Sequence, residues 1–261
     1  MNIPLPSTPL GQILAQESEY WTTIAKVERR AGYCLFHNPR LAPRVDPNHA
    51  GDFRGEPGQA KRIVSEIVDF YSEQGITPAA YVDLLAPPDI VPALLEAGFV
   101  EWSGADEDLM FYTGPDLGRP SDFQVTAITS NQDRAAWAAI IEEEAEQNEA
   151  ERLLLHELYL TEICDPRVAA YLIRIDSEPA ARCLLFSTGG LGRVEAVRTR
   201  ATYRGRGLAA ALVRRATIDS LQSGNRITFI YAEPGSAPQR LYHRLGFRTV
   251  ANNLMRGFIK S

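Results

Sequence analysis

Thr202-Tyr203-Arg204-Gly205-Arg206-Gly207-Leu208-Ala209 is the stretch on which the reading of this chain turns. A β-rich run over residues 194–200 feeds it, and a helical run over about 207–223 leaves it. Glycines let backbone N–H groups turn inward with no Cβ in the way. The helix start adds unsatisfied N–H groups and the positive end of its dipole. Together these form a cradle for a diphosphate, with Arg204 and Arg206 adding charge at its rim. A lone Gly-x-Gly is equally at home in a plain tight turn. The dinucleotide fingerprint does not fit, because Ala210 stands where its third glycine belongs and the preceding strands read as antiparallel. No Gly-Lys-Ser/Thr follows, which argues against a nucleoside triphosphate loop.

Working outward, residues 169–175, 181–186 and 194–200 alternate as strands. Short turns at Ser177-Glu178-Pro179 and Gly189-Gly190-Leu191-Gly192 join them, which predicts an antiparallel meander. Upstream lie a strand over 123–128, a helix over 134–147 and a second helical stretch over 153–160. The acidic run Glu142-Glu143-Glu144 reads as a solvated face. Downstream come a β-rich run over 227–232, a short helix ending at Leu245 and a final hairpin to Phe258. The turn-forming segment 113–120 reads as a linker. It divides the chain into domains 1–117 and 118–261. The fold class is α/β, with a mixed sheet.

The first half reads as a faded, partial copy of the second. Ala93-Leu94-Leu95-Glu96-Ala97-Gly98-Phe99, then Leu109-Met110-Phe111, matches Leu241-Tyr242-His243-Arg244-Leu245-Gly246-Phe247, then Leu254-Met255. Phe53-Arg54-Gly55-Glu56-Pro57-Gly58 echoes the glycine loop, but with an extra residue, a proline and an acid where phosphates would lie. Proline removes a donor and Glu56 repels an anion, so no coenzyme is expected there.

The glycine loop resembles the phosphate-binding signature of the GNAT superfamily of N-acetyltransferases: Arg or Gln, two residues, Gly, one residue, then Gly or Ala. Here it is Arg204, Gly205-Arg206, Gly207, Leu208, Ala209. Leu241-Tyr242 before Leu245-Gly246-Phe247 resembles the same family again. The resemblance covers about residues 122–258. It implies a GNAT-like acyl-CoA N-acyltransferase fold in tandem with a degenerate first copy, and acetyl-CoA as co-substrate with no metal. It also implies that residues 204–209 hold the pyrophosphate, that Val197 and Thr199 pair with the pantetheine amides as if CoA were an added strand, and that Ser236 and Gln239 lie near the pantetheine. Ser236 also reads as a helix N-cap.

Acyl transfer from a thioester to an amine requires the amine to lose its proton, donors for the developing oxyanion, and a proton for the departing thiolate. Tyr242 is the candidate acid, since the family's tyrosine lies beside the CoA sulfur; the alternative is a core tyrosine. The first half has Leu94 at the matching place and so lacks the acid. Glu195 is the candidate base, on the strand feeding the loop, where alternation puts it on one face with Val197 and Thr199. A salt bridge to Arg193 or Arg198 is the competing role. His243 reads as a surface residue.

Composition agrees with a globular protein: 261 residues, 45% hydrophobic and 23% charged. The net charge of −6 argues against a nucleic-acid partner. The apolar run 84–95 is broken by Pro87, Pro88 and Pro92 and cannot span a bilayer. Cys34, Cys164 and Cys183 read as buried free thiols of a reducing cytoplasm. His37, Asp46 and His49 lack ligand spacing and read as turn residues rather than a metal site. The expected activity is transfer of an acyl group, an acetyl group in the first instance, from acyl-CoA directly to an amine of a small molecule or peptide, by a monomer or homodimer. A CoA-binding sensor without turnover is the alternative.

Overall fold

The structure is a computed structural model and describes residues 8–102, 107–114, 117, 122–141 and 148–261. The chain falls into two compact units, residues 1–107 with 252–261, and residues 108–251.

The first unit begins with α1 (Pro9–Trp21), whose N-cap Thr8 accepts from the Gly11 N–H at 3.2 Å. There follow β1 (Lys26–Arg30), β2 (Tyr33–His37), β3 (His49–Gly51), α2 (Ala60–Glu73), β4 (Ala79–Asp83), α3 (Ile90–Glu96) and β5 (Phe99–Trp102). Helix α2 forms because Ile63, Val64, Ile67 and Tyr71 recur at helical spacing. All four are buried, with Leu35, Ala80, Leu94 and Phe258 in the same core.

The second unit contains β6 (Asp108–Tyr112), β7 (Thr126–Ala127), α4 (Asn131–Ala138), α5 (Glu149–Glu162), β8 (Val168–Ile175), β9 (Glu178–Thr188), β10 (Leu191–Thr199), α6 (Leu208–Gln222), β11 (Ile227–Ala232), α7 (Ala237–Arg244) and β12 (Phe247–Ala251). Strands β8, β9 and β10 make the antiparallel meander expected from their turns. Alternation along β9 sorts its side chains. Ala181, Cys183 and Leu185 join Leu208, Leu212 and Ala216 of α6 in one core. Arg182, Leu184 and Phe186 take the opposite face.

The last strand, β13 (Met255–Lys260), returns to the first unit and lies between β4 and β5. In the second unit β6 lies between β11 and β12. The sheet orders are therefore β1-β2-β3-β4-β13-β5 and β7-β8-β9-β10-β11-β6-β12. Aligned strand for strand, they match except for the additional β7. In each sheet one pair is parallel, β3 with β4 and β10 with β11. Each unit thus inserts a strand that follows the other unit's α-β pair in sequence.

This exchange corrects two expectations. No terminal hairpin forms, since β12 and β13 belong to different sheets. The compact units part after Glu107 and Ala251 rather than at residue 117. The first half is a partial copy that keeps the strand order but has no counterpart of β7 among the described residues. Locally, the helix expected over 134–147 starts at Asn131, where Ser130 caps it, and ends at Ala138. Residues 142–147, with the acidic run, lie outside the described residues, as does most of the linker. Only Thr126–Ala127 of the strand expected over 123–128 pairs, because its neighbour β8 takes up just those two residues. Cys34 and Cys183 are buried, but Cys164, just past the end of α5, is exposed. No helix among the described residues is long and apolar enough to cross a membrane.

Candidate functional site

The site is built where two neighbouring strands of the second unit part. Parallel pairing of β10 with β11 runs from Leu191↔Ile227 to Val194↔Ile230 and stops, while β10 continues to Thr199. On its other edge β10 remains paired with β9, but the register slips between Glu195↔Leu184 and Arg198↔Arg182. Three steps on β10 oppose two on β9, which defines a bulge. Ala196 carries it at φ 53°, in the left-handed region. From Glu195 onward, the edge of β10 that faced β11 has no strand partner among the described residues.

The bulge overturns the simple alternation. Leu184 and Arg182 share a face of β9, so their partners Glu195 and Arg198 share one too. Thr199 pairs with Ala181, on the α6 side, and Val197 packs against the core beneath α6. Glu195 therefore does not lie on one face with Val197 and Thr199. The hydroxyl oxygen of Thr199 is buried with no hydrogen-bond partner among the described residues.

The glycine loop follows directly. A short 3₁₀ turn at Ala201–Tyr203 leads to Gly205 at φ 75° and Gly207 at φ 89°. Gly207 is the N-cap of α6, and no side chain caps the helix. A Cβ at either glycine would meet nothing within 4 Å, so the loop opens onto clear space. Arg206 lies over the Tyr203 ring at 5.8 Å, and Arg204 Nε donates to the Thr199 carbonyl at 3.2 Å. Leu208 turns its side chain into the core, so only its backbone is available to a ligand. Ala209 is half-buried.

Tyr242 is 5% exposed and belongs to the core cluster with Leu212, Leu245 and Phe247. Ser236 is the N-cap of α7, accepting from the Gln239 N–H at 3.1 Å. The Gln239 amide is used at both ends: its oxygen accepts from Gly235 N–H at 2.8 Å and its nitrogen donates to Asp108 at 2.7 Å. Gln239 thereby fastens α7 to the inserted strand β6. Glu195 Oε2 accepts from Arg193 Nε and forms an ion pair with its Nη2, both at 2.7 Å. Arg193, itself buried, lies over the Tyr231 ring at 5.0 Å. His243 shares a 3.2 Å hydrogen bond with the Phe247 carbonyl. The structure thus brings Glu195, Val197, Thr199 and the loop to one strand and its exit. Sequence reasoning missed Ala196 and Asp108. Nothing in an alanine signals a left-handed bulge, and Asp108 lies 131 residues from its partner. Among the described residues, no group of three or more His, Cys, Asp or Glu side chains gathers as a metal site.

Solved structures align with this chain over most of its length. The GCN5-related N-acetyltransferase from Kribbella flavida superposes with a TM-score of 0.72 at 17% identity, over 98% of this chain and 96% of that one. The chain has the GNAT fold. A tandem GNAT protein from the clavulanic acid biosynthesis pathway, in its form without AcCoA, superposes with a TM-score of 0.56 at 12% identity, over 81% of this chain and 74% of that one. The GCN5-related N-acetyltransferase from Sphaerobacter thermophilus gives 0.55 at 18% identity, over 87% and 75%. The profile of the FR47-like protein family matches residues 176–255, the stretch containing the GNAT-like splay and loop. No curated protein matches the chain in sequence.

The first unit repeats the GNAT topology with its corresponding loop closed. Arg54, after β3, donates to both carboxylate oxygens of Asp83, at the end of β4, at 3.0 and 2.6 Å. The ion pair ties together the ends of the two strands that would have to part. Asp89 accepts from the Gly58 N–H at 2.6 Å, taking a donor that a phosphate would need.

Proposed function

We propose that the second unit binds acetyl-CoA and transfers its acyl group directly to an amine of a small molecule or peptide. The observation that carries this reading is the end of β10–β11 pairing at Val194, immediately before a glycine loop whose helix start is uncapped. An extended pantetheine arm fits beside the free edge of β10, where main-chain groups of Val197 and Thr199 would pair with its amides. The pyrophosphate fits against the N–H groups of residues 205–209, with Arg204 and Arg206 neutralising charge. These features suit the donor: open space at both glycines, and a buried Thr199 hydroxyl without a hydrogen-bond partner among the described residues. When bound, acetyl-CoA supplies a thioester carbon open to attack.

The chain's own residues would do the rest. Backbone N–H groups beyond Val194 stabilise negative charge on the carbonyl oxygen. Tyr242 donates a proton to the leaving sulfur. Glu195, positioned by its ion pair with Arg193, draws the proton from the amine directly or through water. Holding both substrates on one strand supplies much of the rate. Asp89, Glu56 and the Arg54–Asp83 pair support a single coenzyme site per chain.

Isothermal titration with acetyl-CoA tests the reading, run beside Gly207→Glu. The variant places a carboxylate at the phosphate position; its Cβ meets nothing within 4 Å, at the cost of a side chain on a left-handed residue at φ 89°, so a folded variant is confirmed by its thermal unfolding. One site in the wild type, lost in the variant, supports the proposal; no heat of binding in the wild type overturns it.

A further inference from the structure

We propose that Arg182 anchors a carboxylate of the acceptor, so that the accepted amine belongs to a carboxylate-bearing compound of amino-acid type. The inference rests on the acyltransferase reading and adds the chemical class of its second substrate.

Arg182 is only 1% exposed, on the central strand β9. Its guanidinium carbon lies 4.1 Å from the Trp137 ring centroid and 3.8 Å from that of Tyr159. The two rings meet edge to face, 5.9 Å apart at 89°, so the cation sits in their corner. Trp137 is fixed there by its own hydrogen bond, Nε1 donating to the Cys183 carbonyl at 3.0 Å. Yet Arg182 Nε and Nη1 are buried and have no hydrogen-bond partner among the described residues. Ring faces attract a cation but accept little from its in-plane N–H groups. Among the described residues this buried charge has no hydrogen-bonded counter-ion, which is a costly state. An anion arriving in the guanidinium plane would remove that cost.

The position links this anchor to the chemistry. Arg182 stands opposite Arg198, and Leu184, next on the same face, stands opposite Glu195. Same-face neighbours on a strand are about 7 Å apart. The anchor is thus one such step along and one strand over from the candidate base, about 8 Å between backbones, on the sheet face away from α6. That spacing suits an anion and an amine within one small molecule. Glu195 is turned to its own strand instead, its Oε2 bonded to Arg193 and its Oε1 accepting from the Ala196 N–H at 3.2 Å. A carboxylate offers two coplanar oxygens to the planar donor array of arginine, a match that an ammonium side chain does not reproduce.

The test measures thiol release from acetyl-CoA with a panel of L-amino acids, each paired with its own carboxamide. The amide's amine is the more easily deprotonated of each pair, so a preference for the acid cannot come from amine basicity. The expected result is kcat/KM roughly a hundredfold higher for at least one acid than for its amide. Arg182→Gln should erase that preference chiefly through KM, and Arg182→Lys should restore part of it. Acetyl-CoA affinity, unchanged in both variants, reports that they fold. Equal rates for acids and amides, or a preference that survives Arg182→Gln, overturn the anchor while leaving the acyltransferase reading intact. Acetyl-CoA binding with no panel member acylated also overturns the anchor. Failure of the wild type to bind acetyl-CoA removes the underlying reading and the anchor with it.

Discussion

Arg54 and Asp83 form a nearly buried, two-pronged ion pair, with side chains 10% and 8% exposed. It stands in the first unit where the second has an open splay. Asp83→Ala should leave the guanidinium with only the Phe53 carbonyl and the longer Asp52 contact at 3.3 Å, and cost about 3 kcal/mol of stability. Replacing both partners together, as Arg54→Met with Asp83→Leu, should cost much less. Urea unfolding of the single and double variants checks the difference, and equal losses would remove the pair from this account.

His49 is enclosed by Trp21, Phe36 and Tyr81, and burial holds its imidazole down at about 3. The unfolded chain takes up this proton near pH 6.5 and the folded one does not. Stability from this group is therefore full above about pH 6.5 and falls as the pH drops towards 3. The loss at pH 4.5 should be roughly 2–3 kcal/mol relative to pH 7. His49→Phe should flatten that part of the pH profile in matched urea titrations; parallel profiles would contradict the assignment.

Ala196 holds a backbone conformation that costs an L-residue about 1–2 kcal/mol. Ala196→Gly should leave stability unchanged or raise it by up to about 1 kcal/mol. Ala196→Val should destabilise the unit and weaken acetyl-CoA binding, because a β-branched residue favours the extended strand that would close the splay. Thermal unfolding and titration of both variants decide the matter, and tight binding by Ala196→Val would show that the bulge is dispensable.

Tyr242→Phe should lower kcat by roughly a hundredfold or more while acetyl-CoA affinity stays within about threefold. The lost hydroxyl should cost about 1 kcal/mol of stability. Steady-state kinetics beside titration separate these effects, and an unchanged kcat would return Tyr242 to a purely structural role in the core.

Much of the second unit was legible because its signals are local. Gly205 and Gly207 announce the left-handed loop directly, and the turns of the β8–β10 meander announce antiparallel pairing. Strand partners are another matter. β6 and β13 have the apolar character of any central strand, and nothing in Leu109-Met110-Phe111 or Gly257-Phe258-Ile259 says which sheet receives it. Glu195 could be placed on its strand by alternation, but not on its face beyond the bulge, because an alanine gives no warning of positive φ. Gln239 looked available to a ligand until Asp108, far away in sequence, was found to hold it.

The reciprocal placement of β6 and β13 sets the order in which this protein can be completed during synthesis. The first unit emerges from the ribosome with an empty lane between β4 and β5, and that lane is filled only once β13, made after the whole second unit, has followed. Until then its exposed strand edges must be kept from other partners. Cutting the gene at the apparent linker would leave β6 with the wrong fragment and β13 with the other. The two halves of this repeat cannot be separated without each losing a central strand.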